Sequence, residues 1–104
     1  MEFSGFDWDD ANRTKCQNHG VSIAAIESVF FQGVMILPDA MHSQKEPRYR
    51  AIGRTDKGRA VFVVFTMRGH AGERMLRPIS ARYMHRKEVQ HYEETYKAQD
   101  NSGL

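Results

Sequence analysis

Apolar residues recur at helical spacing near the N-terminus and at strand spacing through the middle of the chain, with the change of period at Val34. Phe3, Phe6 and Trp8 form an aromatic entry that predicts a short first strand within residues 3–8. Asp9 is a good N-cap, so a helix is expected from Asp10 until Gly20 ends it. Asp10 stands at its start and Lys15 and His19 towards its end, the order that the helix dipole favours. Ser22 caps a second helix in which Ile23, Ile26 and Phe30 make one apolar stripe with Val29 beside it. The two helices are expected to form a short hairpin.

Beyond Val34 the pattern is that of a sheet. Residues 34–37 predict a short strand stopped by Pro38-Asp39, and the segment up to Pro47 has neither period. Residues 48–54 predict a second strand, whose regular pleat would put Arg48, Arg50 and Arg54 on one face. Asp56-Lys57-Gly58 marks a tight turn. Residues 60–65 are almost continuously apolar, as in a central strand covered on both faces. A turn over residues 68–72 leads to a further strand over 74–82, where Pro78 demands an edge position or a bulge. Residues 86–97 predict a last helix with Val89, Tyr92 and Tyr96 on one stripe, and residues 101–104 are expected to fray. The fold class is therefore α+β: two N-terminal helices, an antiparallel sheet and a C-terminal helix, with the helices on one sheet face and the other open.

Charge changes what that open face means. From Arg48 to Lys87, eleven Lys or Arg residues stand against Asp56 and Glu73, whereas both flanking blocks are acidic, so a chain of net charge +2 has a strongly basic centre. Because that centre is also the strand region, its guanidinium groups are expected to share a rigid surface that attracts polyanions, nucleic acid first. With 104 residues, 40% hydrophobic and 27% charged, one domain is expected, its core within residues 6–97. The first residues lack a basic segment followed by an apolar stretch, and no run reaches membrane-spanning length, so a cytoplasmic protein without membrane contact is expected. Cys16, the single cysteine, can form neither an internal disulfide nor a cysteine-rich zinc site. His42, His70, His85 and His91 lack metal-ligand spacing, so neither metal nor cofactor is expected.

Particular residues carry a resemblance. Phe6-Asp7-Trp8-Asp9, His19-Gly20-Val21-Ser22, Arg48-Tyr49, Ala51-Ile52-Gly53-Arg54, Gly58-Arg59 and Ile79-Ser80-Ala81-Arg82, followed by Glu88 and Tyr92, together resemble the BrnT toxin family in order and spacing. The resemblance implies a RelE-like fold and a ribonuclease of a type II toxin–antitoxin pair. It also implies inhibition of translation and growth, and restraint by a BrnA-like antitoxin whose ribbon-helix-helix segment provides the only link to DNA. Four departures stand out: Asn18 and Asn12 replace lysines usual in the family, His85 replaces a capping Ser or Thr, and Pro47 replaces an acidic residue. If the missing lysine at position 18 normally contacts the scissile phosphate, the resemblance implies either weak activity or compensation by the other arginines.

Metal-independent RNA cleavage requires alignment of a 2′-hydroxyl with phosphorus, charge stabilisation on the phosphorane and proton transfer. Arg54, Arg77 and Arg82 are the candidate phosphate clamp, since a guanidinium forks onto phosphate oxygens. His19, with a near-neutral unperturbed pKa, is the candidate acid or base. Arg48, Arg50, Arg59, Arg68 and Tyr49 are the candidate RNA contacts. Competing readings exist: His19 can cap helix carbonyls, Arg77 and Arg82 can pair with Glu73, Glu88 or Glu93, the remaining arginines, Arg74 among them, can be solvated or hold the antitoxin, and Trp8, Phe62 and Phe65 can belong to the core. A module that binds nucleic acid or antitoxin without cleavage explains the basic strands equally well.

Overall fold

The computed structural model describes residues 2–42 and 45–101. In chain order the elements are β1 (Gly5–Phe6), α1 (Asp10–Cys16), α2 (Ile23–Val29), β2 (Met35–Pro38), β3 (Arg48–Arg54), β4 (Ala60–His70), β5 (Glu73–Tyr83) and α3 (Arg86–Asn101), with a single 3-10 turn at Ala40–His42 in the segment expected to be patternless. The strands form one five-stranded sheet of order β1-β5-β4-β3-β2. The sheet is mixed, not purely antiparallel: β1 runs parallel to β5, pairing Gly5 with Met75 and Phe6 with Leu76.

Asp9 caps α1 as its sequence demands, accepting from the Asn12 amide at 3.1 Å while the Asn12 side-chain oxygen accepts from the Asp9 amide at 2.7 Å. The helix ends at Cys16, a turn earlier than expected. The chain reverses only at Gly20, whose φ of +85° is open to glycine. Ser22 caps α2 by accepting from the Ala25 amide. α1 packs on β5 and α2 on β3 and β4, and between these helices and the sheet lie Val21, Ile26, Val29, Val61, Val63, Phe65 and Leu76, all fully buried. Phe65 is the centre of this layer, with the Phe30 ring edge-on at 5.3 Å and the Tyr49 ring stacked at 5.5 Å.

β4 and β5 are longer than their patterns suggested. The residues read as a turn, Arg68, Gly69 and His70, pair instead with Met75, Arg74 and Glu73, and the reversal is made by Ala71 and Gly72 alone, both at positive φ. Pro78 takes the bulge of the two options left to it. The register jumps from Val64–Ser80 to Phe65–Pro78, and β5 lies inside the sheet rather than at its edge. Its carbonyl accepts from the Asn12 side-chain amide at 2.9 Å, and the same amide also donates to the Asp7 carbonyl, so a buried polar residue ties α1 to the bulge.

α3 corrects the expected layering. It lies across one end of the face opposite α1 and α2, where Val89 and Tyr92 border a cleft with Ile52 and Met35. Beside α3 that face is partly exposed at Phe62 and Val64, whereas Thr66, further along the same side of β4, is buried. Consequently β4 is central but not covered on both sides: Phe62 and Val64 remain half-exposed. α3 runs on to Asn101, past the end expected at residue 97, while the Tyr96 side chain and residues 102–104 lie outside the described residues. No helix among the described residues is long and apolar enough to cross a membrane.

Candidate nucleic-acid interface

Register builds the open face row by row. Ile52 pairs with Phe62 and Phe62 with Arg82; Arg50 pairs with Val64 and Val64 with Ser80; Arg48 pairs with Thr66 and, beyond the bulge, Thr66 with Arg77. Directly paired residues project to the same side of a sheet. Arg48, Arg50 and Arg54 on β3 therefore face Arg77 and Arg82 on β5 across the floor made by Phe62 and Val64 on β4. The two arginine rows stand about 10 Å apart, twice the spacing of neighbouring strands. The Arg82 guanidinium lies over the Phe62 ring, 4.8 Å from its centroid.

The face is also richly supplied with the protein's own carboxylates. Arg82 donates through both terminal nitrogens to Glu88, at 2.8 and 2.9 Å, and Arg54 pairs with Glu93 and donates to the Gly58 carbonyl. Arg77, only 13% exposed, pairs with Asp9 at 2.9 Å and with Asp7 at 3.6 Å. Arg50 reaches the buried Asp39 at 3.5 Å, and Arg68, further along the β4 side of the channel, pairs with Glu46. These contacts fix the guanidinium planes and reduce the positive field that the sequence led one to expect. The hydrogen bonds from Arg82 and from the His85 amide hold the Glu88 carboxyl down to about 2, and Glu88 in turn raises Arg82 above its ordinary value. Asp9 is likewise lowered, first by the Asn12 amide and then by Arg77. The Glu88 bond to the His85 amide is the surviving half of the capping box.

Three candidate residues lie apart from this channel. His19 is exposed in the turn after α1, with no hydrogen bond or ion pair among the described residues. Tyr49 projects to the helix-covered face, where it stacks on Phe65. Arg59 covers the Tyr83 ring at 3.5 Å, and Tyr83 pairs with Val61 on the same helix-covered side. Conversely, Phe62 and Val64, which the apolar run over residues 60–65 places in the core, lie partly exposed on the arginine face. Their alternation with Val61, Val63 and Phe65 was the available signal, but an uninterrupted apolar run conceals it. Among the described residues no three His, Cys, Asp or Glu side chains gather as a metal-binding group would.

At the α3 end the channel opens into a cleft of about 570 Å³ between that helix and the sheet, lined by Met35, Ile52, Val89 and Tyr92 with Arg54 and Glu93 beside them.

A sheet with two helices beneath and an arginine-lined face above makes this a small α+β protein with its arginines gathered on one side of the sheet. Residues 8–88 match the family of the ribonuclease toxin BrnT of type II toxin–antitoxin systems, and the chain belongs to that family. A comparison with curated proteins gives no match. A type II toxin implies an antitoxin as partner.

Proposed function

We propose that the chain is an endoribonuclease whose channel between β3 and β5 grips single-stranded RNA and promotes attack of a 2′-hydroxyl on the neighbouring phosphorus without a metal ion. The observation that carries this reading is the pair of arginine rows flanking the half-exposed Phe62 and Val64 on one open face. Phosphates suit the rows and a base suits the Phe62 ring, since stacking on an aromatic side chain is tolerant of sequence. Arg82 is the principal phosphate ligand. A guanidinium has five N–H donors, and pairing with Glu88 occupies two, leaving donors for a phosphorane oxygen in a group whose plane is already fixed. Arg50 and Arg48 serve from the opposite row, and Arg77, held by Asp7 and Asp9, extends the β5 row beyond Ser80. Cleavage of cellular RNA in the cytoplasm would stop translation and growth.

The antitoxin in this reading is BrnA-like, with a ribbon-helix-helix segment that alone touches DNA and an acidic segment that lies on the arginine face, so that it both steers association and excludes RNA. The test is expression with and without the neighbouring small gene product, following growth and RNA integrity. Growth arrest with degraded RNA, abolished by Arg82→Ala and relieved by the partner, supports the enzyme.

The pairing of Arg50, Arg54, Arg77 and Arg82 with carboxylates favours a second reading, a face that binds RNA or antitoxin without cutting. Its mark is salt-dependent RNA binding with the RNA recovered intact.

A further inference from the structure

We infer that the cleft between α3 and the sheet holds one guanine base of the RNA strand, an inference that rests on the channel being an RNA site. Ile52, on its floor, shares the face and the row of Phe62 and Arg82, so a strand lying along the channel runs into the cleft without changing side. Its volume of about 570 Å³ falls within the range of small-ligand sites. Met35, Ile52 and Val89 offer apolar walls and Tyr92 a half-buried ring, the environment in which an unstacked base is received.

The base preference follows from Glu93. Its ion pair with Arg54 is half-exposed on both sides, 52% and 50%, and so is only weakly held in water. A bound nucleotide can exchange it without leaving either charge unpaired: Arg54 turns to the phosphate, and the Glu93 carboxylate turns to the base. A carboxylate only accepts hydrogen bonds, and it takes two side by side only from neighbouring donors. Guanine alone presents two adjacent donors, N1–H and the 2-amino group, on its Watson–Crick edge. Adenine, cytosine and uracil place an acceptor beside each donor and meet the carboxylate with one bond and one repulsion.

The experiment measures binding of the full chain to short 2′-O-methyl oligouridines, which cannot be cleaved, each carrying one central guanine, adenine, cytosine or inosine. The guanine probe is expected to bind about tenfold more tightly than the adenine and cytosine probes, with inosine between them for want of the 2-amino group. Glu93→Gln is expected to abolish the preference while leaving binding to the uridine scaffold. Equal affinity for all probes, or a preference that survives in Glu93→Gln, overturns the guanine site and leaves the channel standing. Failure of every probe to bind removes the channel and the cleft reading together. Loss of antitoxin affinity in Tyr92→Ala, with probe binding unchanged, assigns the cleft to the protein partner and overturns the proposal.

Discussion

The Arg82 guanidinium is held from two directions at once, its central carbon over the Phe62 ring at 4.8 Å from the centroid and both terminal nitrogens on the Glu88 carboxylate. It is therefore positioned before any ligand arrives. Lysine at this place would keep the charge but lose the fork and the stacking surface. Arg82→Lys is expected to lower the single-turnover rate of RNA cleavage about a hundredfold, the usual cost of a displaced charge-stabilising donor. A rate within a few-fold of wild type would remove Arg82 from the chemistry.

The same pair makes stability depend on pH in a defined direction. Glu88 is lowered from its ordinary 4.5 to about 2 by Arg82 and the His85 amide. A carboxylate with a depressed folded-state pKa contributes stability that is complete above its unfolded value and is lost as pH falls towards the folded one. The melting-temperature difference between wild type and Glu88→Gln is thus expected to be constant above about pH 5 and to shrink between about 4.5 and 2. A difference that grows on acidification would contradict the assignment.

Asn12 is a buried polar residue that ties the start of α1 to the sheet. It is 5% exposed, accepts from the Asp9 amide and donates to the Asp7 and Pro78 carbonyls. Asn12→Ala would leave those carbonyls without this donor and undo half the capping box, at a cost of about 2–3 kcal/mol in chemical denaturation. A change below about 0.5 kcal/mol would show that solvent satisfies them equally well.

Cys16 is fully buried against the core, and burial pushes its thiol up to about 11. Little thiolate exists near neutrality, so the native chain is expected to resist alkylation at pH 8 and to react on unfolding. Rapid labelling of the folded protein would mean that the layer under α1 opens readily.

Much of this arrangement was legible because period and register are local properties. The alternation of Arg48, Arg50 and Arg54 fixed one face of β3 and the caps Asp9 and Ser22 fixed both helix starts, while the missing N–H of Pro78 forced the bulge. α1 ends before the polar residues 17–19, whose composition does not mark the stop and where the amides of Asn18 and Gly20 donate three residues back instead of four. The lengths of β4 and β5 were missed because Gly69 and His70 carry turn propensity that cross-strand pairing overrides. The neutralisation of the arginines was the least legible feature. Asp9 meets Arg77 and Glu93 meets Arg54 only after the chain has folded, and the side on which α3 settles is a property of the sheet as a whole.

The claim that the two arginine rows act together on one RNA strand is tested most directly by cleavage of end-labelled single-stranded RNA by the purified chain in excess metal chelator, comparing wild type with the Arg50→Ala/Arg82→Ala double variant. Cleavage by the wild type and its loss in the double variant, with the circular dichroism of the two proteins alike, is the predicted result. Equal cleavage by both, or cleavage that appears only when a divalent metal is added, would contradict it.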